Sequence, residues 1–311
     1  REFVMKCKVA FVGTGIIGSG LAVNAAVSGH PTHLYDLADP AKVKATVEGI
    51  LTSMVNAGAV SQADADAALG RMSFTQNLNE ALEGAGFVQE CVPERIALKQ
   101  ETYKKIQEVL GNSVIIASST TGIFPTVLQE GALYPEKIVV GHPYNPSYLL
   151  PLVEVCGGQQ TAPETVTEAM AMYEDWGKVS VHCRKEVNGF IANILNWTMR
   201  DACMKAVLDG VCSVEDVDKA LTFGPGMRMA VTGQLLTLSL GVDGGFREMA
   251  KKYSKDGTVN PEEDRINNII ADGIDVEIAN RPAENGNTVE GVIEFRDKML
   301  ATIVKGHGLI K

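Results

Sequence analysis

The segment Val139-Val140-Gly141-His142-Pro143-Tyr144-Asn145-Pro146 ends an apolar run on a histidine, and Pro151-Leu152-Val153-Glu154-Val155 sets a carboxylate inside a second apolar run. Two strands joined by a loop can bring those side chains together. A histidine held by a glutamate is a proton-transfer device suited to near-neutral pH. A turn histidine beside a solvent-facing glutamate would look similar. Two details favour the pair. Glu154 stands between Val153 and Val155 with no other charge in its strand, and a buried strand rarely tolerates an unpaired carboxylate. His142 closes the carboxyl end of its strand, the edge where open α/β sheets bind ligands.

A partner for such chemistry is suggested near the start of the chain. An apolar strand over residues 7–12 runs into Gly13-x-Gly15-x-x-Gly18, which opens a helix through Ala26, and a second strand ends on Asp36. Glycines there permit a tight turn and let a pyrophosphate approach the helix N-terminus. Asp36 is placed to accept hydrogen bonds from the adenosine ribose, and a carboxylate in that position repels a 2′-phosphate. The expected cofactor is therefore NAD rather than NADP. The competing reading is an ordinary turn with a solvated aspartate.

The elements that must position these groups follow from periodicity and breakers. Residues 41–70 read as a helical hairpin broken at Ala57-Gly58. Strands are expected at 86–92, 114–117, 138–140, 152–155 and 179–181, and helices at 99–110, 125–130 and 163–176. After about Lys185 strand signals vanish. Helices are expected at 190–208, 214–221, 262–270 and 289–304, with the least order at 254–261 and then 282–287. The fold class expected is α/β: a Rossmann-type sheet domain over 1–187, then an all-helical substrate and dimerisation domain over 188–311.

The chain has 311 residues, 45% hydrophobic and 21% charged, enough for two domains of ordinary globular composition. Its net charge of −10, with no basic cluster, argues against nucleic acid and anionic membrane surfaces. No apolar run approaches the ~20 residues of a transmembrane helix, and the first residues lack signal-peptide architecture. Met5 reads as a natural start. The six cysteines are scattered without a C-x-x-C pair, which fits reduced core thiols in a cytoplasmic protein and no metal site.

Several segments together resemble the 3-hydroxyacyl-CoA dehydrogenase superfamily: the glycine turn, Glu90-Cys91-Val92-Pro93-Glu94, Ala117-Ser118-Ser119-Thr120-Thr121, the His142 and Glu154 segments, and Gly189-Phe190-Ile191-Ala192-Asn193. Lys185-Glu186-Val187 and Gly224-Pro225-Gly226-Met227-Arg228 are most similar to the branch containing L-gulonate 3-dehydrogenase (lambda-crystallin) and L-carnitine dehydrogenase, which oxidises free 3-hydroxy carboxylates. The resemblance implies His142 as catalytic base, Glu154 as the carboxylate orienting it, and Asn193 as a group holding the imidazole and the reacting oxygen. It places Glu94 and Lys99 near the nicotinamide, and Asn145 on the substrate side. Thr121 stands where the family usually has a serine that bonds the substrate oxygen; threonine keeps the hydroxyl but is stiffer.

Arg228 follows a Gly-Pro-Gly turn among Met227, Met229 and Ala230. Arginine in such company usually has a planar anionic partner. That partner is either the carboxylate of a small anionic substrate or a structural ion pair. The alternative activity is a 3-hydroxyacyl-CoA dehydrogenase, although only Lys42 and Lys44 are available in the 41–70 hairpin for CoA phosphates. A lysine-dependent 6-phosphogluconate-type dehydrogenase or imine reductase fits the His142/Glu154 pair poorly. A non-enzymatic NAD-holding crystallin fits poorly as well, since the catalytic candidates are intact. Few aromatics are available to cage a trimethylammonium group. The apolar helix at 190–208, with Trp197, Met199 and Met204, supplies either core or the interface of a homodimer.

Overall fold

The computed structural model describes residues 6–254 and 258–310, so Met5 and part of the expected loop at 254–261 lie outside the described residues. The chain parts into two compact units between Thr198 and Met199.

In the first unit, β1 (Lys8–Val12), α1 (Ile16–Val27) and β2 (Thr32–Tyr35) form the β-turn-α-β unit. The hairpin follows as α2 (Pro40–Asn56) and α3 (Gln62–Gly70). Asp39 caps α2 from just outside Pro40, a residue whose missing N–H costs nothing in a first turn. Then come β3 (Met72–Thr75), α4 (Leu78–Leu82), β4 (Ala85–Glu90), α5 (Ile96–Leu110), β5 (Ile115–Ser118) and α6 (Pro125–Leu128). β6 (Ile138–Pro143), β7 (Leu152–Gly157), α7 (Pro163–Asp175) and β8 (Val179–His182) complete the unit. The sheet has eight strands in the order β3-β2-β1-β4-β5-β6-β7-β8. All neighbours are parallel except β6 and β7, which are antiparallel.

Continuous apolar strands bury both sheet faces. One face carries Val9, Phe11, Phe87, Ala117, Val139, Val153 and Val155 against α1, α2, α3 and α7. The other carries Ala10, Val12, Val88, Ile116, Val140 and Cys156 and extends to Tyr103 and Phe190. Period-2 alternation puts His142 and Glu154 on this second face. The order reverses direction beside β1, where the glycine turn lies, which is the switch point of an open α/β sheet.

Among the elements not expected are β3 and α4 of the first unit and the short helices at Met227–Thr232, Gln234–Ser239 and Met249–Tyr253 of the second. β3 is an edge strand of intermediate burial throughout, and α4 is five residues long; neither has a strong apolar period. β6 runs past Val140 through His142, so the histidine lies within the ladder rather than just beyond it.

Helix α8 (Phe190–Leu208) starts in the first unit and enters the second. The second unit holds α9 (Val214–Leu221), α10 (Met227–Thr232), α11 (Gln234–Ser239), α12 (Met249–Tyr253), α13 (Pro261–Asn280) and α14 (Val289–Gly306). Its core gathers Leu236, Phe246, Ala271, Ile274, Ile278 and Val292. α13 is ten residues longer at its C-terminal end than expected, because Gly273 does not break it: the buried residues Ala271, Ile274 and Ile278 hold the helix together across the glycine. Among the described residues no helix is long and apolar enough to cross a membrane.

Candidate active site

His142 and Glu154 are direct cross-strand partners in the one antiparallel ladder of the sheet. Both are nearly inaccessible, at 5% and 1% exposure. His142 Nδ1 lies 2.9 Å from Glu154 Oε2. An ionised carboxylate can only accept, so Nδ1 is the donor, and in the neutral ring Nε2 is then the acceptor. Nε2 makes no hydrogen bond among the described residues. The second carboxylate oxygen, Oε1, accepts from the Ile191 and Ala192 N–H groups at 2.7 and 2.9 Å. These are first-turn donors of α8, otherwise without intrahelical partners, so the helix N-terminus stabilises the buried anion.

The turn that aims them is Gly189-Phe190, where both residues are left-handed, at φ 79° and 53°. For phenylalanine this conformation costs about 1–2 kcal/mol. What it secures is visible: the buried Phe190 ring packs on the His142 imidazole, with centroids 5.3 Å apart and planes 31° apart. Phe190 and the α8 N-terminus are the functional neighbours that sequence reasoning missed. The Gly-Phe dipeptide before a long apolar helix was the available signal.

The glycine turn has two tight positions and one open one. Gly13 sits at φ 96°, and a Cβ there would meet the Cys91 carbonyl at 2.6 Å. Gly18 likewise lies against the Gly13 carbonyl, while a Cβ on Gly15 would meet nothing within 4 Å. Gly15 begins α1, which has no side-chain N-cap. Uncapped first-turn N–H groups facing open space suit a pyrophosphate. Asp36 accepts from Thr14 N (2.7 Å), Thr14 Oγ1 (2.9 Å) and Ala38 N (3.0 Å). Burial opposes its charge, but these donors prevail and hold the carboxyl below the usual range. Asp36 is thus an anion fixed at the end of β2.

Glu90, Glu94 and Lys99 form a network. Lys99 is fully buried, with Nζ 2.7 Å from Glu90 Oε1, 3.2 Å from the Val92 carbonyl and 3.5 Å from Glu94 Oε2. Glu90 also accepts from Val92 N, Tyr103 OH and Ser118 Oγ. Glu94 accepts from the Thr120 hydroxyl and from the Thr121 and Gly122 N–H groups. Burial works against the Glu94 anion, but the Thr120 hydroxyl and Lys99 outweigh it and lower its pKa. The Thr120–Gly122 loop after β5 is therefore pinned by a carboxylate whose own place is set by Lys99.

Thr121 is exposed and its hydroxyl makes no hydrogen bond among the described residues, whereas the buried Thr120 makes the hydroxyl contact. Asn193, half-buried in the first turn of α8, makes no side-chain hydrogen bond to His142 or to any other described residue. Asn145 is exposed in the β6–β7 loop, just before a cis Pro146. Arg228, in the second unit, is exposed and has no ion pair among the described residues. By contrast Arg200, Arg247, Arg265, Arg281 and Arg296 all face carboxylates.

This arrangement matches known proteins over most of its length. The NAD binding domain of 3-hydroxyacyl-CoA dehydrogenase matches residues 8–187, and the C-terminal domain of the same enzymes matches residues 189–269. The chain is 34% identical over 312 residues to a Pseudomonas sp. protein named L-carnitine dehydrogenase, covering 97% of this chain and 94% of the relative. It is 37% identical over 249 residues to an Oceanobacillus iheyensis protein of the same name, covering 79% and 80%. Among solved structures it is similar to 5-formyl-3-hydroxy-2-methylpyridine 4-carboxylic acid 5-dehydrogenase, described as an NAD+ dependent dismutase, with TM-score 0.71, 26% identity, and 98% and 99% of the two chains covered. With a glycine turn open to a pyrophosphate and an anion at the end of β2, the chain belongs to the 3-hydroxyacyl-CoA dehydrogenase family and is an NAD-dependent oxidoreductase acting on CH–OH groups.

Proposed function

We propose that this protein oxidises the 3-hydroxyl of a small free 3-hydroxy carboxylate to the 3-keto acid, with His142 as general base oriented by Glu154. The observation that carries this reading is the buried His142–Glu154 pair, whose Nε2 has no hydrogen-bond partner among the described residues. The first-turn N–H groups of α1 beside Gly13, Gly15 and Gly18 would hold the pyrophosphate, and Asp36 the adenosine ribose. Bound NAD supplies the hydride acceptor. His142 Nε2 takes the hydroxyl proton as the carbinol carbon gives up its hydride, and Glu154 stabilises the imidazolium that forms. Asn193 and Thr121 support the oxygen as it becomes a carbonyl, with Asn145 on the same side. Glu94, held by Lys99, shapes the nicotinamide end. The helical part, residues 188–311, supplies substrate contacts and the surface of a homodimer; Leu195, Met204 and Leu208 are exposed along α8.

A free acid is favoured over a CoA thioester for two reasons. Arg228 is a cation without an ion-pair partner among the described residues, and of the two hairpin lysines Lys44 already faces Glu48 at 3.7 Å. The names of the relatives at 34% and 37% identity put L-carnitine first among substrates to try. The test is NAD reduction across L-carnitine, L-gulonate, 3-hydroxybutyrate and a 3-hydroxyacyl-CoA. Turnover of the thioester alone would refute the free-acid reading.

Arg228→Ala is expected to raise KM for the free acid roughly 10- to 100-fold with a smaller effect on kcat, as loss of one charge-assisted contact of about 1.5–3 kcal/mol predicts. An unchanged KM removes Arg228 from the substrate site. Asp36→Ser removes the anion that would repel a 2′-phosphate. Its ratio of kcat/KM for NAD over NADP is expected to fall by about 10-fold or more, since one charged contact is worth over a kcal/mol. Retention of the full preference for NAD would place the ribose elsewhere.

A further inference from the structure

Lys178 is a buried cation that the reaction as described does not use. It stands just before β8, 6% exposed, with no ion pair to a carboxylate among the described residues. Its ammonium donates to the Ser147 carbonyl and, at 3.2 Å, to the Leu150 carbonyl. The nearby charged and titratable groups are turned elsewhere. Glu174 accepts from Ser180, Asp175 faces Lys6 and His30, and the Tyr173 hydroxyl donates to Gln89. Burial alone pushes the Lys178 pKa down to about 8. A lone buried ammonium is costly, so its two carbonyl partners identify what it stabilises.

Those carbonyls belong to one turn. The Leu149 and Leu150 N–H groups both donate to the Pro146 carbonyl, and the turn lies between β6 and β7, directly after the His142–Asn145 segment. Its other side rests on α1. Ser147 Oγ donates to the Ile17 carbonyl at 3.3 Å, and Asn24 Nδ2 donates to the Tyr148 carbonyl at 3.2 Å. At Gly20 the fit is closest: a Cβ there would fall 2.3 Å from Ser147 Oγ. The loop leaving the proton-transfer strand is thus seated on the helix that opens at the glycine turn, and Lys178 holds it from behind.

We propose that Lys178 is a positioning residue for the reaction: by gripping the Ser147 and Leu150 carbonyls it seats the β6–β7 loop on α1 and fixes the substrate side of the site relative to the cofactor turn. This rests on the reading of His142 and Asn145 given above. Lys178 touches neither the glycine turn nor Asp36, so its role is registration rather than affinity for NAD.

The experiment combines Lys178→Met, Asn24→Ala and the double variant. Lys178→Met is expected to lower kcat by up to about 10²-fold, the scale of a displacement near 1 Å, with the Kd for NADH within about twofold of wild type. Amide exchange at Leu149 and Leu150 should quicken while that of β6 stays slow. Asn24→Ala loosens the same loop from the α1 side, so the two effects should fall short of additive in the double variant. The pH dependence separates positioning from plain stabilisation. Losing the ammonium charge weakens its grip, so the wild-type advantage in kcat over Lys178→Met should narrow as pH rises from about 7 to about 9.5. Stability runs the other way. A lysine whose pKa is lowered in the folded state costs stability below about 8, and that cost fades as pH climbs toward the unfolded value near 10.5. Unchanged kcat, full additivity, or a kcat advantage that does not narrow with pH would overturn the proposal. Absence of turnover by the wild-type protein on every hydroxy acid would instead strike the functional reading, and the exchange data would still decide whether Lys178 holds the loop.

Discussion

His142→Ala is expected to lower kcat by about 10²–10⁴-fold, the usual contribution of a positioned general base, while NADH still binds. The two halves of that result have separate structural origins. The proton-transfer pair lies on β6 and β7, whereas the glycine turn lies at the end of β1, with Asp36 just beyond β2. The imidazole touches Glu154 and Phe190. Its removal costs Glu154 one partner, but Oε1 keeps the two α8 N–H donors, so the carboxylate stays satisfied and the fold survives. The gap left behind is shaped by the Phe190 ring and the Glu154 carboxylate, so added imidazole should recover part of the lost rate. NADH binding by fluorescence and single-turnover hydride transfer measure the two halves. Turnover within threefold of wild type would remove His142 from the chemistry, and loss of NADH binding would make it a structural residue.

What was legible in the chain divides by sequence distance. The glycine turn, Asp36 and the pairing of His142 with Glu154 could be anticipated because each rests on a local pattern: a turn at a strand end, or two apolar strands joined by a short loop. The long regular helices were legible for the same reason, and α8 and α9 keep the expected limits of 190–208 and 214–221. The missed features are contacts between distant segments. No local signal says that Glu154 meets backbone donors 37 and 38 residues later, because any helix N-terminus has such donors and only the fold selects this one. The resemblance alone sets Lys99 with Glu94 near the nicotinamide; from its own helix Lys99 reads as one more amphipathic lysine, and its partner Glu90 is a distant contact that no local pattern announces. Lys178 likewise looks like a surface residue before an edge strand. The resemblance singles out Thr121, yet the hydroxyl that meets Glu94 is that of Thr120, while Thr121 donates its backbone N–H.

Glu154→Gln should be nearly as damaging as loss of the histidine, with kcat down by roughly 10³–10⁴-fold and little change in melting temperature. The substitution preserves volume, so the outcome depends on where the amide oxygen settles. Glu154 Oε1 accepts from two backbone donors, and Oε2 faces one imidazole nitrogen. A glutamine therefore turns its oxygen to the pair of N–H groups, since the reverse would set an NH₂ against two donors. Its NH₂ then points at His142 Nδ1. Nδ1 must become an acceptor, the ring proton moves to Nε2, and the nitrogen needed as base is occupied. The imidazolium formed during oxidation also loses its counter-charge. Glu154→Ala differs in kind. It strips the part-buried Ile191 and Ala192 N–H groups of their shared acceptor and opens a gap in the buried face, so it should lose stability together with activity. Melting curves, kcat and the ¹⁵N spectrum of the imidazole separate the two variants. The decisive reading is the tautomer: a His142 still protonated at Nδ1 in Glu154→Gln, with kcat within tenfold of wild type, would mean that the carboxylate does not orient the base.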